Sequence, residues 1–200
     1  MRLQSTEKNM ILGTNNMNDI NSCMKSFKEH LLFENDKKRS YSCLMLDCGI
    51  LKDDIEKIQS QIQKSDIYDQ EGYGLETEPH ITVLYGIHTA DPETVASSVD
   101  CRVVSYSLSG LSLFENSEFD VLKCTVVSDD LHELNKQCTD RLDYTNDYPD
   151  YKPHLTVAYL KPGTGKKYLD IDSVIFEGEK TSGDYLFSDM NSNKTHLSYD

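Results

Sequence analysis

The heptapeptides Pro79-His80-Ile81-Thr82-Val83-Leu84-Tyr85 and Pro153-His154-Leu155-Thr156-Val157-Ala158-Tyr159 agree at Pro, His, Thr, Val and Tyr. Each is short, rich in β-branched and apolar residues and followed by turn formers, which makes each a strand. Residues two apart on a strand share a face. His80 therefore lies with Thr82 and Leu84, and His154 with Thr156 and Ala158. Ile81, Val83 and Tyr85 form the opposite, apolar face of one copy, and Leu155, Val157 and Tyr159 that of the other. On this alternation Tyr85 and Tyr159 are core residues, while Leu84 and Ala158 floor the polar face. The copies are 74 residues apart (154 − 80), about half a domain, which predicts two pseudo-symmetric halves that each bring a central strand to a shared cleft.

The rest of the chain supplies elements for such a fold. Residues 1–39 read as a polar N-terminal extension with one helix, from Asn18 to Phe33, where Ile20, Met24, Phe27 and Leu31 recur at helical spacing. A catalytic domain then spans residues 40–200. It opens with a strand over Tyr41–Ile50 and an amphipathic helix over residues 53–65, with Ile55, Ile58 and Ile62 on one side. Asp91-Pro92-Glu93 opens a short helix. Two strands follow between residues 102 and 127, and Ser128-Asp129-Asp130 caps another helix carrying Leu131, Leu134 and Cys138. After the second heptapeptide, VIFEGEK, DYLFSDM and THLSY read as a closing antiparallel unit. The class expected is α+β: bilobal, pseudo-symmetric, mostly antiparallel sheets with flanking helices and a central cleft.

Charge narrows the partners. There are 34 Asp and Glu against 20 Lys and Arg, a net charge of −14. Such a chain repels a long polyanion, which normally meets a basic footprint. A small phosphorylated ligand in a local pocket is compatible, because donors at short range outweigh a screened global charge. No apolar run approaches the roughly 18 residues of a membrane helix, and the N-terminus lacks a signal-peptide core, so a cytoplasmic location with no membrane partner is expected. The six cysteines show neither C-x-x-C spacing nor a Cys/His cluster, so neither zinc nor a disulfide scaffold is expected.

Two imidazoles and two hydroxyls on paired strands suit general acid–base chemistry at phosphorus. One neutral histidine takes the proton of an attacking ribose 2′-OH or water, and the other, protonated, gives a proton to the leaving 5′-oxygen. An unperturbed pKa of about 6.5 suits both tasks. Thr82 and Thr156 donate hydrogen bonds to the non-bridging oxygens as charge develops. Neither G-x-S-x-G nor G-x-x-x-x-G-K-[ST] occurs, which removes serine-hydrolase and P-loop chemistry.

The paired His-x-Thr strands resemble the 2H phosphoesterase superfamily. The YSCLML opening strand, the KPHLTVAYLKPG segment, the closing strands and the acidic balance look most like the phage anti-CBASS cyclic-oligonucleotide phosphodiesterases. That resemblance covers residues from about 40 to 200. It implies catalysis by His80, Thr82, His154 and Thr156 without metal or other cofactor. The implied substrate is a cyclic di- or trinucleotide messenger of a bacterial antiviral alarm, cut at a 3′–5′ bond in the host cytoplasm. It also implies aromatic rings that stack on bases. There is no Trp in this chain, so tyrosine takes that role, with Tyr41 and Tyr185 as candidates. Glu179 is a candidate for a base edge, from its own or a neighbouring subunit, and a homo-oligomer is left open. Lys152 is the nearest cation before the second motif. Two other readings stand beside this one: a 2H phosphoesterase acting on RNA ends, and a non-catalytic sponge for a cyclic nucleotide.

Overall fold

The computed structural model describes residues 41–100, 102–145 and 150–197; the expected helix from Asn18 to Phe33 lies outside them. The described strands are β1 (Ser42–Asp47), β2 (His80–Ile87), β3 (Val104–Glu115), β4 (Asp120–Val127), β5 (His154–Leu160), β6 (Lys180–Ser182), β7 (Tyr185–Ser188) and β8 (Lys194–Leu197). The helices are α1 (Lys52–Gln59), α2 (Pro92–Ser98) and α3 (Asp129–Arg141). Their starts follow from local chemistry. The Asp91 carboxylate accepts from the amides of Glu93 and Thr94 with Pro92 in the first turn, and Ser128 Oγ accepts from Leu131 N, so amides that the helices leave unpaired are satisfied.

All strand pairs are antiparallel and the order is β6-β3-β4-β5-β2-β1-β7-β8. The two motif strands are therefore neighbours at the centre. β6 and β7 lie on opposite flanks of this order, yet only Gly183 and Asp184 separate them in sequence. The sheet must curl until its flanks meet. There Ser182 Oγ donates to the Asp47 carbonyl at 3.1 Å, and Asp47 N donates to the Asp184 carbonyl at 2.8 Å. This corrects the expectation of one closing unit: only β7 and β8 form a hairpin, while β6 crosses to β3. Val174–Phe176 is a 3-10 turn rather than a strand, with Val174 60% exposed and Ile175 buried at its middle.

The halves are interleaved. α1 lies between β1 and β2 in sequence, but the Gln59 amide donates to the Val157 carbonyl of β5 at 2.9 Å. α3 lies between β4 and β5, but the Asn135 amide donates to the Val83 carbonyl of β2 at 2.7 Å. The loops after these helices cross in the same way. Tyr68 N donates to Tyr159 O, Tyr159 N to Gly74 O, and Thr145 N to Gly86 O. Gly86, at φ +88°, admits this approach, because a Cβ there would stand 2.2 Å from the Thr145 carbonyl oxygen.

Val83 and Val157 mark β-bulges at the same position of the two heptapeptides. Along β1, Leu44 faces Leu84 but Met45 faces Thr82, so Val83 is the extra residue. Along β4, Leu122 faces Ala158 but Lys123 faces Thr156, so Val157 is extra. An extra residue re-phases everything beyond it. Tyr85 and Tyr159 consequently join the histidine face, opposite Cys43 and Val121. Leu84 and Ala158 turn to the core. Strict alternation assigned these four residues the other way round, and the bulges are the reason.

The main core joins Leu44, Leu46, Ile81, Leu84, Leu155 and Ala158 of the sheet to Ile55 and Ile58 of α1 and Leu131 and Leu134 of α3. A second cluster, on the histidine face, holds Phe119 and Val121 with Tyr68, Tyr73, Phe114 and Tyr159 around them. Among the described residues no helix is long and apolar enough to cross a membrane.

Candidate active site

Ile81 and Leu155 are the registered pair between β2 and β5. Antiparallel register then sets His80 opposite Thr156 and Thr82 opposite His154. Opposed Cβ atoms lie about 4.5–5.5 Å apart and diagonal ones about 7–8 Å, so the two imidazoles occupy one diagonal of a four-residue square and the two hydroxyls the other. The structure thus brings His80, Thr82, His154 and Thr156 together on one face. The first three are half-buried and Thr156 is buried.

Both rings are held alike. His80 Nδ1 is 2.8 Å from the Glu78 carbonyl oxygen, and His154 Nδ1 is 2.9 Å from that of Lys152. A carbonyl only accepts, which assigns the proton to Nδ1 in each ring and leaves Nε2 with the lone pair when the ring is neutral. Here Lys152 contributes its backbone, while its side chain is exposed. Lys194 forms an ion pair with Glu78 from the edge strand β8, and this holds the Glu78 carboxyl below its ordinary range.

His154 has the more apolar surroundings. The Phe114 ring meets it edge-on at 5.1 Å. Burial is the main cause that pushes its pKa down to about 4; the bond to the Lys152 carbonyl opposes this, and the nearby positive charge of Lys123 and the His80 ring reinforce it. At neutral pH His154 is therefore an uncharged base.

Lys123 is the residue that sequence reasoning missed. A single lysine in the strand DVLKCTVV reads as solvent-facing, and nothing local signals otherwise. Its register opposite Thr156 places it on the histidine face, where it is buried and its pKa is lowered by desolvation. Tyr159, which strict alternation assigns to the core, and Phe114, which nothing in the sequence marks, also stand on this face, because their placement depends on the bulge in β5 and on the register of β3.

The candidate ligand-binding residues divide. Tyr41 is half-buried, stacks on His88 at 5.2 Å and 25°, and meets Tyr85 edge-on. It flanks the end of β2 that carries Tyr85 on the histidine face. Tyr185 does not reach the site: its ring is 0% exposed in the core and its hydroxyl donates to the Arg102 carbonyl at 2.7 Å. Because Tyr185 faces Leu46 across β1, it belongs to the apolar face, and its role as a stacking ring is corrected. Glu179 is exposed in a shallow recess with Ser105, Ser107, Asp129 and Asp130, beside β3 and β6 rather than beside the motif strands. Among the described residues no group of three His, Cys, Asp or Glu side chains converges to hold a metal ion.

A family model described as "Acb1: Anti-CBASS protein Acb1" matches residues 51–194. No curated protein matches the chain. One similar solved structure is titled "Crystal structure of phosphoesterase", with a TM-score of 0.49, 11% sequence identity, and coverage of 80% of this chain and 96% of that one.

Proposed function

Because this chain belongs to the anti-CBASS protein Acb1 family, we propose that it is a metal-independent phosphodiesterase that hydrolyses 3′–5′ bonds of cyclic di- and trinucleotide messengers. In a phage-infected cell such hydrolysis counteracts CBASS signalling in the host cytoplasm. The observation that carries this reading is the Ile81–Leu155 register, which sets each histidine across from the other motif's threonine. A phosphate in the square of four residues meets a base on one side, an acid on the other and a hydroxyl donor beside each.

Neutral His154 accepts on Nε2 the proton of the attacking hydroxyl, a ribose 2′-OH or water. As the new P–O bond forms, the bond to the leaving 5′-oxygen breaks. His80, in its doubly protonated form, donates its Nε2 proton to that oxygen. The Nδ1 bonds to the Glu78 and Lys152 carbonyls hold both rings in the productive tautomer throughout. Thr82 and Thr156 donate to the non-bridging oxygens, where charge develops. Tyr41, beside Tyr85 at one end of the square, stacks on a base of the substrate.

Incubation with cyclic GMP–AMP and cyclic tri-adenylate in excess EDTA tests the proposal. Linear products on chromatography are expected from the wild type and not from a protein lacking both histidines. Recovery of intact rings from the wild type overturns it.

A further inference from the structure

The two halves of the site differ at corresponding positions beside the motif strands, and Asp47 on β1 faces His80 where Thr125 on β4 faces His154. Thr82 faces Met45 on β1, and Thr156 faces Lys123 on β4. The pseudo-symmetric square therefore has a thioether on one flank and an ammonium on the other.

Lys123 is 8% exposed. Its Nζ donates to Ser112 Oγ at 2.8 Å and stands 4.2 Å from the centre of the Phe114 ring. Ser112 Oγ is also 2.7 Å from Thr125 Oγ1. Either hydroxyl can be the donor of that bond, and Thr125 lies opposite His154. The ion pairs among the described residues engage Lys57, Arg102, Lys136, Lys166, Lys167 and Lys194. None of the described carboxylates pairs with Lys123, in a chain as acidic as this one. A buried cation is costly unless charge and hydrogen bonds compensate it. Among the described residues one neutral acceptor and one ring face compensate Lys123 only in part, and an ammonium has three donor protons to share with an anion.

We propose that Lys123 binds a non-bridging oxygen of the scissile phosphate and, standing beside His154 rather than His80, fixes His154 as the base and His80 as the acid. This rests on the phosphodiesterase reading of the same site. The titratable groups that act on His154 are few: Lys123 from β4 and His80 from β2, while Lys152 offers its backbone carbonyl and β3 presents the uncharged Phe114. The Lys123 ammonium therefore stands on the His154 side of the square, while Asp47 faces His80 on the other. Beside His154 the ammonium disfavours the imidazolium; at the corresponding place beside His80, Met45 exerts no such effect. Desolvation supplies most of the lowering of the His154 pKa and Lys123 adds to it. An ammonium against the phosphate also offsets the anionic charge that the acidic surface would otherwise repel.

Lys123→Met, which repeats the Met45 side chain, and Lys123→Arg, which keeps the cation, test this. For Lys123→Met, kcat/KM on cyclic GMP–AMP is expected to fall about 100-fold. The acid limb of its pH–rate profile should move to higher pH. In the substrate-free protein the His154 ring protons, followed by NMR, should also titrate at higher pH than in the wild type. Inorganic phosphate added to the substrate-free wild type should shift the His154 signals, and in the Met variant it should not. Lys123→Arg is expected to retain the wild-type acid limb and the phosphate response. A folded Met variant with kcat/KM within about threefold of wild type and an unmoved His154 titration overturns the proposal. So does an Arg variant that loses the phosphate response as the Met variant does. Should the Met variant not fold, Lys123→Gln replaces it with the same readouts. The NMR arms need no turnover: a wild type that leaves cyclic nucleotides intact defeats the phosphodiesterase reading, whereas the titration and phosphate arms judge Lys123 independently.

Discussion

Gln59 Nε2 donates at 2.9 Å to the carbonyl of Val157, the extra residue of the bulge that follows Thr156. Asn135 Nδ2 does the same at 2.7 Å for Val83, which follows Thr82. A bulge takes a carbonyl out of the sheet ladder, and a buried carbonyl without a donor is costly. The Val83 carbonyl is satisfied by a helix from the other half of the chain, and the Val157 carbonyl by such a helix together with Glu76 N at 3.0 Å. The curvature beside each motif threonine is thus held by a contact between halves.

Gln59→Leu removes one of the two donors to the Val157 carbonyl, which keeps Glu76 N at 3.0 Å, and the side-chain donor to Glu76 O at 2.8 Å. We expect a loss of stability of about 0.5–1.5 kcal/mol for each hydrogen bond removed, read as a lower urea midpoint. We also expect kcat to fall more than KM rises, as Thr156 loses its position. A variant with wild-type stability would show that the amide is dispensable to the bulge.

Replacing either histidine removes one proton-transfer partner. His80→Ala and His154→Ala are each expected to lower kcat by about 10²–10⁴-fold while the fold is retained. The double variant should be little worse than the poorer single, because the two act as a unit. Single-turnover assays decide this; a single variant with more than about a tenth of the wild-type rate contradicts the roles assigned here.

The lowered pKa of His154 has a consequence for stability. In the unfolded chain the ring titrates near 6.5, and in the folded protein at about 4. Above the unfolded value neither state binds the proton, so the contribution is fully present there. Between the two values the unfolded state binds more protons, and stability falls as pH falls. The loss is at most on the order of 3 kcal/mol and is complete near the folded value. His154→Leu should flatten urea-derived stability between about pH 7 and about pH 4.5 relative to wild type. Parallel curves for the two proteins would mean that the ring is not desolvated.

Tyr41 and Tyr185 should separate cleanly. Tyr41→Ala is expected to raise KM for a cyclic dinucleotide by an amount corresponding to about 1–3 kcal/mol of stacking, with little change in thermal midpoint. Tyr185→Ala should cost about 3–5 kcal/mol of stability, as for a large buried ring. Equal KM effects from the two substitutions would place the base elsewhere.

Much of this protein was legible from the order of its residues. The two heptapeptides identified the motif strands, Asp91 and Ser128 marked helix starts, and the 74-residue spacing implied two related halves. These signals are local: a cap, a turn or a short apolar run acts within a few residues of itself. Tertiary structure decided which way Tyr85, Tyr159, Leu84 and Ala158 face, because a bulge is a property of two paired strands and not of one. It also decided that β6 crosses to β3, that Tyr185 is buried, and that Lys123 stands beside His154. Each of these depends on register between strands far apart in the chain, and a one-residue change of register reverses the face of every side chain beyond it.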